Sequence, residues 1–221
     1  MNRLVEPELM SEAEQAKAYA EADFESAHSS YPKLFAKEFP TRPKKALVLD
    51  LGCGPADVTI RFAKANPGYK FHGVDGSAAM LKLGRAAVKR ERLQKRIELI
   101  EGFIPGAPIP AKSYDVIIST SFLHHLHDPQ VLWKTVKRFS RPGTIVFIVD
   151  LRRPRSRKAA WELVDTYSTN EPEVLRQDFY NSLRAAFVPQ NIIKQLTEAS
   201  IAGLKVRQIN DRHLIVFGKI E

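Results

Sequence analysis

From residue 46 onward, short apolar runs alternate with stretches whose apolar residues recur at helical spacing, the pattern of a mostly parallel sheet covered on both faces. The apolar runs predict seven strands: Ala46 to Leu51, Tyr69 to Val74, Ile97 to Ile100, Tyr114 to Thr120, Thr144 to Asp150, Leu204 to Ile209 and Arg212 to Lys219. Several are apolar at successive positions, as strands buried on both faces are. Helices fit between them at Ala56 to Ala65, Ser77 to Arg92, Pro129 to Phe139 and Pro189 to Ala199, with proline at or near several starts and Asn66-Pro67-Gly68 as a stop. The last two strands have no helix between them and are only two residues apart. Asn210-Asp211 joins them, which predicts an antiparallel hairpin at one end of the sheet. The expected fold is a doubly wound, seven-stranded, mostly parallel α/β sheet with that hairpin and a helical cap.

Two segments stand outside this alternation. Residues 1 to 40 read as helical and end in Phe39-Pro40-Thr41-Arg42-Pro43, and residues 151 to 188 form a long, polar, mainly helical excursion after the fifth strand. Both are expected to cap a site, as an N-terminal lid and a cap insertion of one domain spanning residues 1 to 221. No internal repeat interrupts the chain, and the other connections are short.

Composition narrows the class. With 221 residues, 44% hydrophobic and 27% charged, the chain suits an ordinary packed domain and not a disordered or fibrous one. Cys53 is the only cysteine, which excludes an internal disulfide and a zinc site built on thiolates and fits a reducing compartment. The opening segment carries acids where a secretion signal needs an unbroken apolar stretch, and no run approaches the ~20 apolar residues of a membrane span. A cytoplasmic location without a membrane span is expected.

The net charge of +9 and pI near 9.7 suit an acidic partner, whether nucleic acid, anionic lipid or a phosphorylated substrate, without choosing among them. Lys82, Arg85, Lys89, Arg92 and Arg96 recur at helical spacing opposite Ala79, Leu83 and Ala86, and read as a solvated helix face. Arg152, Arg153, Arg155, Arg157 and Lys158 follow a strand end, where ligands of open α/β sheets bind, and favour an anionic substrate.

The chemistry concentrates first in Leu47-Val48-Leu49-Asp50-Leu51-Gly52-Cys53-Gly54-Pro55, a buried strand running through a glycine turn into a helix. Gly52 and Gly54 allow a sharp turn and close approach of a ligand to bare backbone, and the helix start offers amide groups. Asp75 ends the second strand, twenty-one positions after Gly54, where an acid can accept hydrogen bonds from both hydroxyls of a ribose. A dinucleotide fingerprint would place a third glycine where Asp57 stands, and an acid at the helix start repels a pyrophosphate. Nucleoside binding follows, but not NAD.

These residues resemble the class I S-adenosylmethionine-dependent methyltransferases, a Rossmann-like family, of the small-molecule type similar to the quinone-biosynthesis methyltransferases. The likeness covers roughly residues 46 to 150. It implies S-adenosyl-L-methionine as cofactor, with Asp50, Gly52 and Gly54 lining its methionine part, Asp75 holding the ribose, and Gly76 and Met80 flanking the adenine. Cys53, Gly102 and Ser119 complete the expected cofactor set. The family commonly shows Gly-Asp-Ala after the third strand, its aspartate meeting the adenine amino group. This chain has Gly102-Phe103-Ile104 instead, so Phe103 is expected to stack on or pack against the base. Ile109-Pro110 and Tyr114-Asp115-Val116 keep the rest of the pattern.

The fourth strand runs into Ser119-Thr120-Ser121-Phe122-Leu123-His124-His125-Leu126-His127-Asp128, similar to the family segment beside the reactive sulfonium. Methyl transfer from an activated donor demands mainly alignment and exclusion of water, with a base only for acceptors that carry a proton. His124 and His125 are the catalytic candidates for that role, the alternative being packing or capping of the helix that Asp128-Pro129 starts. His127 reads as structural. Three histidines and an aspartate also suggest a metal, but the spacing matches no ligand motif and consecutive residues diverge unless the loop folds back, so no metal is expected. Tyr19, Asp23, Phe24, His28 and Tyr31 recur at three to five residues and would line one face of a lid helix. Of these, Tyr19, Asp23 and His28 are substrate candidates, joined by Asp178 of the cap and by Arg152 for acidic substrate groups.

The reading is a methyltransferase acting on a small-molecule acceptor. A nucleic-acid methyltransferase suits the charge, but the Asn/Asp-Pro-Pro-aromatic run of amino-directed enzymes is replaced by Ser119-Thr120-Ser121-Phe122, and no Pro-Cys pair occurs. A nicotinamide oxidoreductase lacks the third glycine and any tyrosine followed four residues later by lysine. A non-catalytic module that senses S-adenosylmethionine is the remaining alternative.

Overall fold

The computed structural model describes residues 1–6 and 25–221. Tyr19, Asp23 and Phe24 of the expected lid lie outside the described residues. Seven strands form one sheet: β1 (Ala46–Leu51), β2 (Tyr69–Asp75), β3 (Ile97–Glu101), β4 (Val116–Thr120), β5 (Ile145–Leu151), β6 (Leu204–Gln208) and β7 (His213–Lys219). Their spatial order is β3-β2-β1-β4-β5-β7-β6. The first five run parallel, and β7 pairs antiparallel with both β5 and β6, the latter through the short turn expected between the last two strands. The order reverses between β1 and β4, so the crevice at their carboxyl ends is where an open sheet of this kind binds ligands.

Among the described residues the α-helices are α1 (Glu25–His28), α2 (Ser30–Glu38), α3 (Asp57–Ala65), α4 (Ala78–Arg90), α5 (Gln130–Phe139), α6 (Arg157–Tyr167), α7 (Glu173–Ala185) and α8 (Pro189–Glu198). The predicted starts at Ser77 and Pro129 prove to be the residues just ahead of the helices. Ser77 Oγ accepts from the Met80 amide at 3.3 Å, satisfying one donor that the first turn cannot. The excursion after β5 resolves into α6 and α7, clamped by Trp161 stacked on Tyr180 with centroids 4.3 Å apart.

Two apolar layers sandwich the sheet. On one side Phe35, Phe62 and Phe147 meet edge to face, so α2 and α3 pack on β5 through complementary ring quadrupoles. On the other, α5 and α8 cover the sheet, and fully buried Trp133 donates its indole N–H to Gln195 Oε1 at 2.9 Å. Both layers leave the carboxyl ends of β1, β2, β4 and β5 to the loops.

Two sequence expectations about charge need correction. The buried stripe of α4 is Met80, Leu81, Gly84 and Val88, not the side bearing Ala79, Leu83 and Ala86, and the helix ends at Arg90 with Arg92 in a left-handed conformation. Lys82, Arg85 and Lys89 do face solvent, but Arg96 does not belong to their face. Its guanidinium donates to the carbonyls of Tyr69, Ala63 and Asn66 at 3.0, 2.6 and 2.7 Å, knitting the end of α3 to β2.

Candidate active site

The β1 strand ends in a turn whose two glycines serve different needs. Gly52 has φ +73°, and a side chain there would strike the Phe122 ring, with Cγ at 2.3 Å from an added Cβ, so the loop after β4 presses on bare backbone. Gly54 has φ +51° and open space on the side a Cβ would occupy. Ala56 follows with φ 64°, a left-handed conformation uncommon for a residue with a side chain, and begins α3 without any side-chain cap. Two acids hold this turn. Asp75, at the tip of β2, accepts from the Gly54 amide through Oδ2 and from the Ser77 amide through Oδ1, both at 2.8 Å.

Asp50 is the second acid, 1% exposed, one residue from the end of β1. Thr59 of α3 donates to its Oδ2 at 2.6 Å, while Oδ1 is buried with no partner among the described residues. Burial pushes the Asp50 carboxyl up to about 7 despite the Thr59 bond, with Asp75 nearby adding to the rise. Burial also pushes Asp75 up, opposed by its two backbone donors. A buried carboxylate with one open oxygen beside uncovered backbone is suited to an ammonium group, and a second carboxylate one strand away keeps lone pairs for hydroxyls. These residues fit the amino-acid and ribose parts of S-adenosylmethionine.

The remaining cofactor candidates divide. The exposed Phe103 ring, 61% accessible, lies across Gly76, where an added Cβ would sit 2.8 Å from Cε1. Met80 is buried in the first turn of α4, and Gly102 leaves β3 against Ala107. Cys53 points beneath the turn, its Sγ 3.0 Å from where a Gly73 Cβ would stand, and burial pushes its thiol far up, so it stays protonated. Its amide, with that of Gly52, already donates to the Val74 carbonyl. Ser119 is fully buried and donates to the Leu51 carbonyl at 2.7 Å, which makes its side chain a brace between β4 and β1.

A second cluster lies past β4. The chain leaves through Ser121 at φ 52° and makes a single 3₁₀ turn, Leu123–His125. Asp150, near the tip of β5, accepts from the amides of Phe122, Leu123 and Leu151 and, at 2.6 Å, from His124 Nδ1. Burial alone would neutralise both partners, but His124 outweighs it and holds the Asp150 carboxyl below its ordinary value. Likewise burial lowers His124, and the charges of Asp150 and Glu6 outweigh it, leaving the imidazole above its usual value. The side facing away from Asp150 meets Glu6 of the N-terminal segment, Oε1 lying 3.6 Å from His124 Nε2 and 3.1 Å from His125 Nδ1. Ser182 of α7 donates to the Glu6 carboxylate at 3.1 and 3.2 Å, and Asp178 adds negative charge nearby.

The other substrate candidates lie elsewhere. His28 is buried and pairs through Nδ1 with Asp57 Oδ2 at 2.8 Å, bordering the start of α3. Burial opposes ionisation of Asp57, yet His28 and Arg61 hold its carboxyl down at about 2. Arg152 donates to the Asp211 carbonyl in the β6–β7 turn at 2.7 Å, and its Nε is buried without a partner among the described residues. Arg153 is spent on the Ala186 carbonyl and Asn191, so the basic cluster after β5 is partly structural. His127 Nε2 lies 2.8 Å from the Glu6 carbonyl oxygen. Sequence reasoning missed Glu6, Thr59 and the role of Asp150. The one available signal was that Asp150, like Asp75, is an acid closing a buried parallel strand.

Comparison with known proteins agrees with this geometry. A family model described as a methyltransferase domain matches residues 48–143. An uncharacterized methyltransferase of Schizosaccharomyces pombe is 31% identical over 104 residues, 45% of this chain and 37% of the relative. A demethylmenaquinone methyltransferase of Lactobacillus johnsonii is 28% identical over 158 residues, 68% of this chain and 65% of the relative. The chain thus spans less than two thirds of the length of either. The crystal structure of an S-adenosylmethionine-dependent methyltransferase from Aquifex aeolicus has the same fold, with TM-score 0.70 at 18% identity, over 95% of this chain and 99% of the other.

Proposed function

We propose that this chain is a class I S-adenosylmethionine-dependent methyltransferase that transfers the methyl group of that donor to a nucleophilic atom of a small molecule. The observation that carries the donor assignment is Asp50 Oδ1, buried and unpartnered among the described residues, beside the open backbone of Gly54. The donor supplies a methyl group already activated on a sulfonium. Asp50 would bind the ammonium end, Asp75 the ribose hydroxyls, and Gly76 with Met80 and Phe103 the adenine. Phe122, pressed on Gly52, keeps water from the methionine side of the crevice.

Acceptor chemistry falls to the loop after β4 and to the described segments packed against it, residues 1–6 and the α6–α7 cap. Alignment and exclusion of water are their main contributions. For an acceptor that carries a proton, His125 is the better base than His124, being less buried and not locked onto Asp150, and would take that proton at Nε2 while Nδ1 faces Glu6. A small acceptor is favoured over nucleic acid because Arg96 and Arg153, part of the positive excess, are tied to backbone carbonyls. The buried Arg152 Nε supports an acceptor with an anionic group. The lone, buried, protonated Cys53 suits the cytoplasm, and no helix among the described residues is long and apolar enough to cross a membrane.

The test is incubation of the purified protein with methyl-labelled donor and, separately, a small-molecule extract, RNA and DNA. Label should appear in the low-mass fraction and, at subsaturating donor, fall with Asp75→Asn. Label in RNA or DNA would overturn the acceptor class, and absence of any calorimetric binding of S-adenosylhomocysteine would overturn the donor.

A further inference from the structure

We propose that Glu6, His124 and His125 together bind one divalent transition-metal cation of the zinc type, with Asp150 orienting the site from behind. Adjacent histidines ordinarily diverge, but the 3₁₀ turn folds the chain so that the two rings lie with centroids 4.2 Å apart and planes 35° apart. Glu6 arrives from more than a hundred residues away to complete the set. One nitrogen from each ring and a carboxylate oxygen all lie within 4.8 Å of one another. A cation bound at about 2.0–2.2 Å holds its donors roughly 3 to 3.4 Å apart. The two separations to Glu6, 3.1 and 3.6 Å, are already close to that.

What surrounds the three ligands is arranged as metal centres require. Asp150 accepts the Nδ1–H of His124, which fixes the tautomer whose Nε2 lone pair faces Glu6, the usual role of a carboxylate behind a ligating histidine. Ser182 fixes the Glu6 carboxylate in the same way. Two imidazoles and a carboxylate, with no thiolate, suit zinc and its neighbours better than magnesium or calcium, which prefer oxygen alone. The Arg3 guanidinium, which donates to the carbonyls of His124 and Leu126, adds a nearby positive charge that weakens binding relative to a closed structural site.

Three ligands among the described residues leave coordination positions open, as in catalytic centres, and a cavity of about 180 Å³ lined by Leu4, Val5, Glu6, Asn181 and Arg184 adjoins Glu6. With Nδ1 on the cation, His125 keeps its hydrogen at Nε2 and no longer serves as a base, so the cation takes over the task of lowering the acceptor's pKa; that role rests on the methyl-transfer reading, and cation binding itself does not.

The experiment uses tag-free full chain, stripped with a chelator, exchanged into chelator-free buffer and titrated with Zn²⁺ by calorimetry and Co²⁺ by visible absorption, without donor or acceptor. One equivalent should bind, with the cobalt bands of mixed nitrogen and oxygen ligation. Glu6→Gln and His125→Ala should each weaken binding by at least about tenfold, with unchanged circular dichroism, while His72→Asn on β2 should bind like the parent. No stoichiometric uptake, or equal uptake by the parent and the two ligand variants, overturns the proposal and leaves methyl transfer untouched. Loss of S-adenosylhomocysteine binding with metal uptake intact would be the opposite failure.

Discussion

Asp50 and Asp150 occupy equivalent places on two parallel strands, each one residue from the carboxyl end and each almost wholly buried. Their surroundings are opposite. Asp150 accepts from three backbone amides and one imidazole, and its carboxyl is held below the ordinary value. Asp50 accepts from one hydroxyl, leaves an oxygen bare among the described residues and is pushed up to about 7. Burying a carboxylate without partners is costly, so folded proteins complete the set or neutralise the group. The complete set on β5 belongs to the protein's own architecture, fixing the β4 exit turn. The incomplete set on β1 is the place proposed for the ammonium group of the donor.

The largest effect that can break this comparison comes from replacing each acid by its amide. Every group around Asp150 is a donor, so Asp150→Asn turns an NH₂ toward other N–H groups and leaves His124 without its charge partner. A loss of about 3–5 kcal/mol in urea unfolding is expected for a broken buried pair. Asp50→Asn, measured at pH 8, should instead be neutral or stabilising, because the native protein no longer has to ionise a poorly partnered acid. The sign follows from linkage. The folded value near 7 lies above the unfolded value, so the penalty on the native state is full above pH 7 and fades as pH falls toward 4. Equal losses for the two variants at pH 8 would erase the distinction.

Asp75 lies between these extremes, with two backbone donors already in place and lone pairs to spare. Asp75→Asn should weaken binding of S-adenosylhomocysteine by roughly ten- to a hundredfold, the worth of about one hydrogen bond to a charged group at 1.5–3 kcal/mol. Calorimetric affinity within twofold of the parent would remove the ribose assignment.

How far the sequence reveals these sites depends on the range of the interaction. Strand positions and Asp75 were legible because alternation of apolar runs and the spacing from a glycine turn are local. The hairpin was legible because two strands joined by only two residues can pair only antiparallel. The stripe of α4 was misplaced because Ala79 and Ala86 are too small and too equivocal to mark a buried face, and only packing on Leu99 through Gly84 sets the rotation. Arg96 looked like one more surface cation until the fold brought three carbonyls to it. His124 and His125 were legible as chemistry but not as a pair with Glu6, since nothing local joins the amino terminus to the loop after β4. Ser119 matched the segment beside the donor, yet the parity of β4 turns its hydroxyl to Leu51.

The subtlest consequence concerns protons. Below pH 7 the donor-free protein holds Asp50 largely protonated, whereas an ammonium group at Oδ1 favours the carboxylate. Donor binding at pH 6 should therefore release a proton. Affinity should fall by up to about tenfold per pH unit below 7 and level off above it. Calorimetric titrations of S-adenosylhomocysteine at pH 6 in buffers of different ionisation enthalpy read that proton directly, and Asp50→Asn should make the apparent enthalpy independent of the buffer. Burial raises Asp75 as well, in spite of its two backbone donors, so it is the loss of buffer dependence in Asp50→Asn that assigns the proton to β1 and not to the proposed ribose contact. A buffer-dependent enthalpy that survives in Asp50→Asn would place the proton, and with it the ammonium, somewhere other than the tip of β1.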